Sequence, residues 1–206
     1  MLAALAFLAV AFIRVPVVLF LQYEPKDVIV SIAGFMFGPL SCVIMSLVLS
    51  FTEMVTISET GIIGCVMNVL STCAFCCPAA FIYKKRRTAR GAAVGLVIGI
   101  IAVTAVMMLW NYLITPLYME ISRAEVAKLL VPAFLPFNLI KGSLNCALVM
   151  LLYKPVVTAL RQAKLLPPSP VAPAGGKKRA TAIIAAASAV VIIICILLVL
   201  KLNGTL

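Results

Sequence analysis

Long apolar runs separated by short polar breaks make up almost the whole chain. Leu2 to Leu21 is apolar except for Arg14 and is interrupted by Pro16, which predicts a first helix whose far end bends or breaks. Gln22-Tyr23-Glu24-Pro25-Lys26-Asp27 then reads as a compact polar loop. Val28 to Phe37 and Leu40 to Phe51 predict two short spans parted by the break Gly38-Pro39. After an acidic loop from Thr52 to Thr60, Gly61 to Tyr83 exceeds the roughly 20 residues a membrane-crossing helix needs, and it stops at Lys84-Lys85-Arg86-Arg87. Gly91 to Leu113 is the next span, closing on Trp110-Asn111-Tyr112. A loop from Glu120 to Pro132, polar and then amphipathic, leads into an apolar run from Pro136 to Leu160. Leu166 to Gly176 is rich in Pro and Gly and has no capacity to pack, and Ala182 to Leu200 is almost uninterruptedly apolar. The expectation is an all-α, polytopic membrane protein. Residues 1–165 form the main bundle, 166–180 a basic Pro/Gly-rich linker, and 181–206 an appended, dispensable transmembrane helix.

Composition narrows the chemistry. A hydrophobic fraction of 65%, a charged fraction of 11% and a mean hydropathy of +1.22 lie outside the range of soluble domains. The length allows six or seven helices with short loops and leaves no room for a soluble catalytic domain. Histidine, the commonest general base and metal ligand, does not occur. Cys73-Ala74-Phe75-Cys76 has the spacing of a redox motif but falls inside an apolar helical run, where small polarizable side chains pack well. A membrane-embedded enzyme would need clustered nucleophiles, acids or metal ligands, and all the acids fall in predicted loops. Neither an enzyme nor a cofactor or metal is expected.

Charge segregates along the chain. Lys84 to Arg90 and Lys154 to Arg179 concentrate the basic residues, whereas Glu24, Asp27, Glu53, Glu59, Glu120 and Glu125 fall in the alternate loops. Basic loops face the cytoplasm, which puts the N-terminus inside and the acidic loops outside. The net charge of +11 is then a matter of topology, and no nucleic-acid partner is implied. The first helix has no charged segment before it and is expected to be retained. Its Ala3, Ala4, Ala6, Ala9 and Ala11 are suited to close helix approach, although a strict small-xxx-small spacing is missing.

Within this frame the candidate chemistry lies at Asn138 and Lys141. They are three residues apart on one helical face, at the start of an apolar run. An ammonium at mid-bilayer costs about 2.5–3.5 kcal/mol on insertion scales and is kept where it faces a cavity, partner or ligand. The competing reading is that Lys141 snorkels to the surface. On either view its removal should leave the ligand-free protein as stable as before or more so. Asn111, Asn138 and Lys141 all fall in the outer halves of their helices, beneath the loops that hold Tyr23 and Asp27. Asn68 reads as an interhelical hydrogen bond.

The ordered set Phe20 to Asp27, Gly34-Phe35-Met36-Phe37-Gly38-Pro39-Leu40, Gly61 to Asn68, Ile82-Tyr83-Lys84-Lys85, Asn111-Tyr112 with Pro116-Leu117-Tyr118, and Phe137 to Gly142 resembles the substrate-binding S components of energy-coupling factor (ECF) vitamin transporters. Within them it is similar to the riboflavin-specific members. The resemblance covers about the first 160 residues. It implies a six-helix S-component bundle in a prokaryotic plasma membrane, binding riboflavin or FMN near the outer face and docking onto a T component driven by two ATPase subunits. It places Asn111, Asn138 and Lys141 around the flavin, with 22–27 as a lid contributing Tyr23 and Asp27, and Asn68 nearby. Ala4 and Ala11, two turns apart, would belong to the docking surface of helix one. A flavin's pyrimidine edge alternates carbonyl acceptors with an N–H donor, to which asparagine amides and a lysine are suited. Another vitamin, a nucleobase-like precursor, or a structural role without transport are the alternatives. The chain departs from the pattern at Cys65, where an acidic residue is expected, in the alanine spacing of helix one, and in its extra C-terminal helix.

Overall fold

The structure is a computed structural model that describes residues 1–13, 15–18, 21–57, 61–119, 122–162 and 178–202. Helix α1 (Leu2–Phe12) ends as Ile13 turns extended, and the chain then pairs β1 (Val15–Val18) with β2 (Leu21–Tyr23) in an antiparallel hairpin. The expected helix to Leu21 is therefore cut short. Pro16 cannot donate to a helical ladder, and the β-branched Val15, Val17 and Val18 around it favour extended backbone. A proline is tolerated in so small a sheet because both of its strands are edges. Arg14 lies outside the described residues.

Helix α2 (Lys26–Phe37) starts two residues earlier than its apolar run, so Lys26 and Asp27 belong to a first helical turn and not to a loop. A carboxylate there complements the positive end of the helix dipole. The helix stops at Gly38, whose φ of 99° disfavours any side chain, and Pro39 occupies the first turn of α3 (Pro39–Thr56). Helix α3 runs beyond the expected loop boundary at Thr52, which makes Glu53 a helical, buried residue. Glu59 and Glu120 lie outside the described residues.

Helices α4 (Gly61–Arg86) and α5 (Ala89–Met119) form a closely packed antiparallel pair. The contact depends on glycine. A Cβ at Gly95 would lie 2.9 Å from the Ala79 carbonyl oxygen, and one at Gly99 would collide with the carbonyl of Phe75. Gly91, Gly95 and Gly99 recur every fourth residue, the spacing that lets membrane helices bring their backbones together. The amphipathic stretch after Ser122 becomes α6 (Arg123–Leu129), opened by a capping box between Ser122 and Glu125. A five-residue π-helical segment, Leu130–Phe134, joins it to α7 (Leu135–Gln162).

Among the described residues five helices are long and apolar enough to cross a membrane. The shorter α2 does not face lipid. Val28, Val30, Ile32, Ala33 and Phe35 are buried, enclosed by α1, α3, α4 and α7. Large apolar side chains such as Leu47, Phe51, Ile101 and Leu109 are exposed instead, the surface of a bundle solvated by lipid tails. The thiols follow the packing expectation: all seven cysteines are free, and Cys42 and Cys76 lie in the core.

The last helix, α8 (Lys178–Leu202), lies along α7. Cys195 is buried with its Sγ 3.9 Å from the Ile140 carbonyl, and Val199 packs against Val17, Tyr23 and Phe137. The linker expected at 166–176 lies outside the described residues. Helices α2, α4 and α7 bring Gly38, Lys84 and Lys154 to one end of the bundle, here termed the basic end. Tyr23, Asp27, Glu53 and Ser122 lie toward the other, the acidic end.

Candidate substrate-binding site

At the acidic end two polar groups of side chains meet on the first turn of α2. The first is centred on Asp27, which is 2% exposed. Thr72 of α4 donates to its Oδ1 at 2.7 Å and Asn145 of α7 to its Oδ2 at 3.3 Å. The Lys141 ammonium stands 3.7 Å from the same Oδ2. That is an ion pair and too long for a direct hydrogen bond. Tyr23, from the hairpin, donates its hydroxyl to Asn145 Oδ1 at 2.8 Å. Burial first, and then the Asp27 carboxylate, push the Tyr23 phenol above its ordinary pKa, so it stays a donor. Asn145 thus takes a hydrogen bond from Tyr23 and gives one to Asp27, and the chain Tyr23–Asn145–Asp27 ties hairpin, α7 and α2 together.

The second group is centred on Lys26, also 2% exposed. Its Nζ is 2.6 Å from Glu53 Oε2 and 3.1 Å from Glu24. Asn68 of α4 donates to the same Glu53 oxygen at 2.9 Å. Glu53 Oε1 is buried with no hydrogen-bond partner among the described residues. Polar side chains from α3, α4 and α7 therefore fasten the stretch from Tyr23 to Asp27 to the bundle. The resemblance suggests a lid over 22–27, yet Lys26 and Asp27 are fixed by partners on three helices.

Asn111 and Asn138 are placed differently. Both are buried, and each donates its Nδ2 to the carbonyl four residues earlier, Asn111 to Met107 and Asn138 to Phe134, at 2.7 Å. Thr115 donates to Asn111 Oδ1 at 3.0 Å. Phe134 is the last residue of the π-helical segment, where carbonyl spacing is irregular, so the Asn138 amide fits a local backbone defect of a kind common at functional sites. One Nδ2 hydrogen of each amide is taken by its carbonyl, which leaves the second as a donor.

Of the residues singled out in the sequence, Asp27 and Lys141 come together directly, and Tyr23 joins them through Asn145. Asn68 joins the neighbouring Glu53–Lys26 group as the interhelical hydrogen bond expected of it. Asn111 and Asn138 bond within their own helices. Sequence reading missed Lys26, Glu53, Thr72 and Asn145, and the signal was spacing. Asn145 follows Lys141 by four residues and Thr72 follows Asn68 by four, so each extends a polar face already begun. Among the described residues no cluster of His, Cys, Asp and Glu could hold a metal ion.

Comparison with known proteins bears on this arrangement. The family model described as "ECF transporter, substrate-specific component" matches residues 1–153. A riboflavin transporter, RibU, of Staphylococcus aureus (strain TCH60) is 32% identical over 171 residues, 79% of this chain and 89% of that protein. The riboflavin transporter FmnP of Bacillus subtilis (strain 168) is 30% identical over 158 residues, 71% of this chain and 83% of that protein. A solved structure described as the S component of a bacterial ECF transporter superposes with a TM-score of 0.65 at 31% identity, covering 78% of this chain and 94% of that one. The match takes in every helix that contributes to the polar site and ends before α8. The chain belongs to the substrate-specific components of ECF transporters, a family of multi-pass membrane proteins that bind and hand over substrate and are not enzymes.

Proposed function

We propose that this chain is the riboflavin-binding subunit of an ECF importer of a prokaryotic plasma membrane, taking the vitamin at the acidic, external end. The observation that carries the reading is Lys141. Its side chain is only 14% exposed, and Asp27 at 3.7 Å offsets its charge without holding it by a direct hydrogen bond. The ammonium is thereby stabilised in an apolar setting while its N–H groups can still donate to a ligand carbonyl. Asn138 stands one turn earlier on the same helix and Asn111 on α5, each with an amide hydrogen to offer a flavin's pyrimidine edge. Tyr23 and Asp27 act from the hairpin side, Tyr23 as a donor and Asp27 through its hold on Lys141. Asn68 acts at one remove, by orienting Glu53.

Delivery would proceed through a T component and two ATPase subunits. In α1, Ala4 and Ala11 are exposed while Ala6 and Val10 face the core. With Leu8 between them they form one outward face on which a partner helix could approach closely. Titrating the purified chain with riboflavin, FMN and uracil, read by flavin fluorescence quenching or heat, tests the reading. Riboflavin should bind one to one and uracil should not. An absence of flavin binding would refute the proposal.

A further inference from the structure

Among the described residues three threonines are buried, Thr72, Thr104 and Thr115. A threonine inside a helix can satisfy its hydroxyl by donating to the carbonyl four residues earlier, as Thr52 does to Val48 and Thr56 to Thr52. Thr72 and Thr115 donate instead to side chains, Thr72 to Asp27 and Thr115 to Asn111. Thr104 does neither. It is 9% exposed, and among the described residues its Oγ1 has no hydrogen-bond partner. A buried hydroxyl left unpaired costs free energy, so its place in the fold has to account for it.

On α5, Ile100, Thr104, Met107 and Asn111 follow one another at intervals of four, three and four residues and form a single stripe. Ile100 meets α7 at Gly142, where an added Cβ would lie 3.0 Å from its Cγ1, so the stripe faces α7. Helix α5 runs from the basic end to the acidic end and α7 returns. Four residues beyond that contact toward the acidic end, about 6 Å along each axis, α5 carries Thr104 and α7 carries Asn138. Thr104 therefore stands level with Asn138, opposite the helix that supplies Lys141, with Asn111 two turns farther along its own stripe.

We infer that Thr104 is a further binding residue of this site, its hydroxyl kept off the helix backbone to pair with the polar edge of the flavin ring beside Asn138. The inference rests on the riboflavin reading above. A hydroxyl is donor and acceptor at once, which suits an edge where carbonyl and N–H alternate, whereas Lys141 can only donate. Unpaired without ligand and paired with it, this hydroxyl contributes to binding and not to folding. Its removal should therefore move affinity and stability in opposite directions, or affinity alone.

The test uses the full chain in detergent as parent, Thr104→Val and Thr104→Ser. Each is titrated with riboflavin, read by quenching of Trp110, the single tryptophan of the chain, and each is melted without ligand. Thr104→Val keeps the branched shape and removes the hydroxyl. It should bind riboflavin about tenfold more weakly, yet unfold without ligand at the parent's temperature or above. Thr104→Ser keeps the hydroxyl and should stay within about threefold of the parent. Parent-like affinity in Thr104→Val would overturn the inference. So would a loss of affinity accompanied by a lower ligand-free melting temperature, the mark of a packing role, or a serine variant as weak as the valine one. Each of these outcomes leaves the riboflavin reading standing. A parent that binds no riboflavin would remove that reading and the inference together.

Discussion

Lys26 and Lys84 both stand at the ends of helices, yet the first is 2% exposed between two carboxylates while the second is exposed among Lys85, Arg86, Arg87 and Arg90. The two ends of the bundle thus treat charge in opposite ways. In the polar site at the acidic end the charges of Lys26, Asp27 and Glu53 are buried, paired and shared between helices, so each fixes the position of another. At the basic end Lys84, Lys85, Arg86, Arg87 and Arg90 are exposed, as basic residues at a membrane surface are. A charge distant from water needs a partner, and in this chain the partners of one charged group are what place the next.

That contrast predicts effects of very different size. Lys26→Met should be the most damaging change, because it leaves buried Glu53 beside Glu24 with no cation. Breaking such a pair from one side costs about 3–5 kcal/mol. Lys84→Met should stay within about 0.5 kcal/mol, as exposed surface changes do. Chemical unfolding in mixed micelles compares them. Lys26→Met combined with Glu53→Gln should recover much of the loss, since the new amide keeps an acceptor for Asn68. Similar losses at Lys26 and Lys84 would dissolve the comparison.

The next effect in size concerns Lys141 and Asp27. Read from the sequence, removing an intramembrane charge should leave the ligand-free protein unharmed. The ion pair reverses that sign, because Lys141→Met strands a carboxylate that is 2% exposed. Lys141→Met should destabilise, and Asp27→Asn in the same chain should restore part of the loss, with a coupling of about 0.5–3 kcal/mol in a double-mutant cycle. Additive effects would mean that the pair does not hold the site.

The smallest effect is expected from α8. Among the described residues it reaches the candidate site through apolar contact of Val199 with the Tyr23 cluster and through Cys195, whose Sγ lies 3.9 Å from the Ile140 carbonyl. Deleting residues 166–206 should therefore leave riboflavin affinity within a few-fold, less than about 1 kcal/mol. A large loss of affinity would show that α8 supports the site from behind.

Much of this architecture was legible in the chain because membrane helices announce themselves by length and hydropathy. The Gly38-Pro39 break, the spans of α4, α5 and α7, and the tie between Tyr23, Asp27 and Lys141 could all be anticipated. Three features could not. The hairpin at Val15–Tyr23 hides inside an apolar run, where Pro16 signals only that a helix ends and not what replaces it. Glu53 and Lys26 read as loop charges because single charges in a membrane protein are assigned to water by default, and only a three-dimensional partner argues otherwise. The α4–α5 contact was written in Gly91, Gly95 and Gly99, but a glycine repeat does not say which neighbour comes close. Asn111 and Asn138 stand out in the sequence as candidate ligand-facing amides, while their bonds to Met107 and Phe134 depend on helix geometry that residue type alone does not specify.

The central claim is that Lys141 is held by Asp27 so as to donate to a flavin. Isothermal titration of riboflavin into the parent, Lys141→Met and Lys128→Met, all in the same detergent and below their unfolding temperatures, tests it most directly. Methionine keeps much of the stem volume and removes the donor, and Lys128 is an exposed lysine of α6 that serves as the control. Lys141→Met should bind about ten- to a hundred-fold more weakly, the cost of leaving a ligand carbonyl unpaired in a dry site, and Lys128→Met should match the parent. Parent-like affinity in Lys141→Met would contradict the account and leave Lys141 as a lysine that merely reaches for the membrane surface.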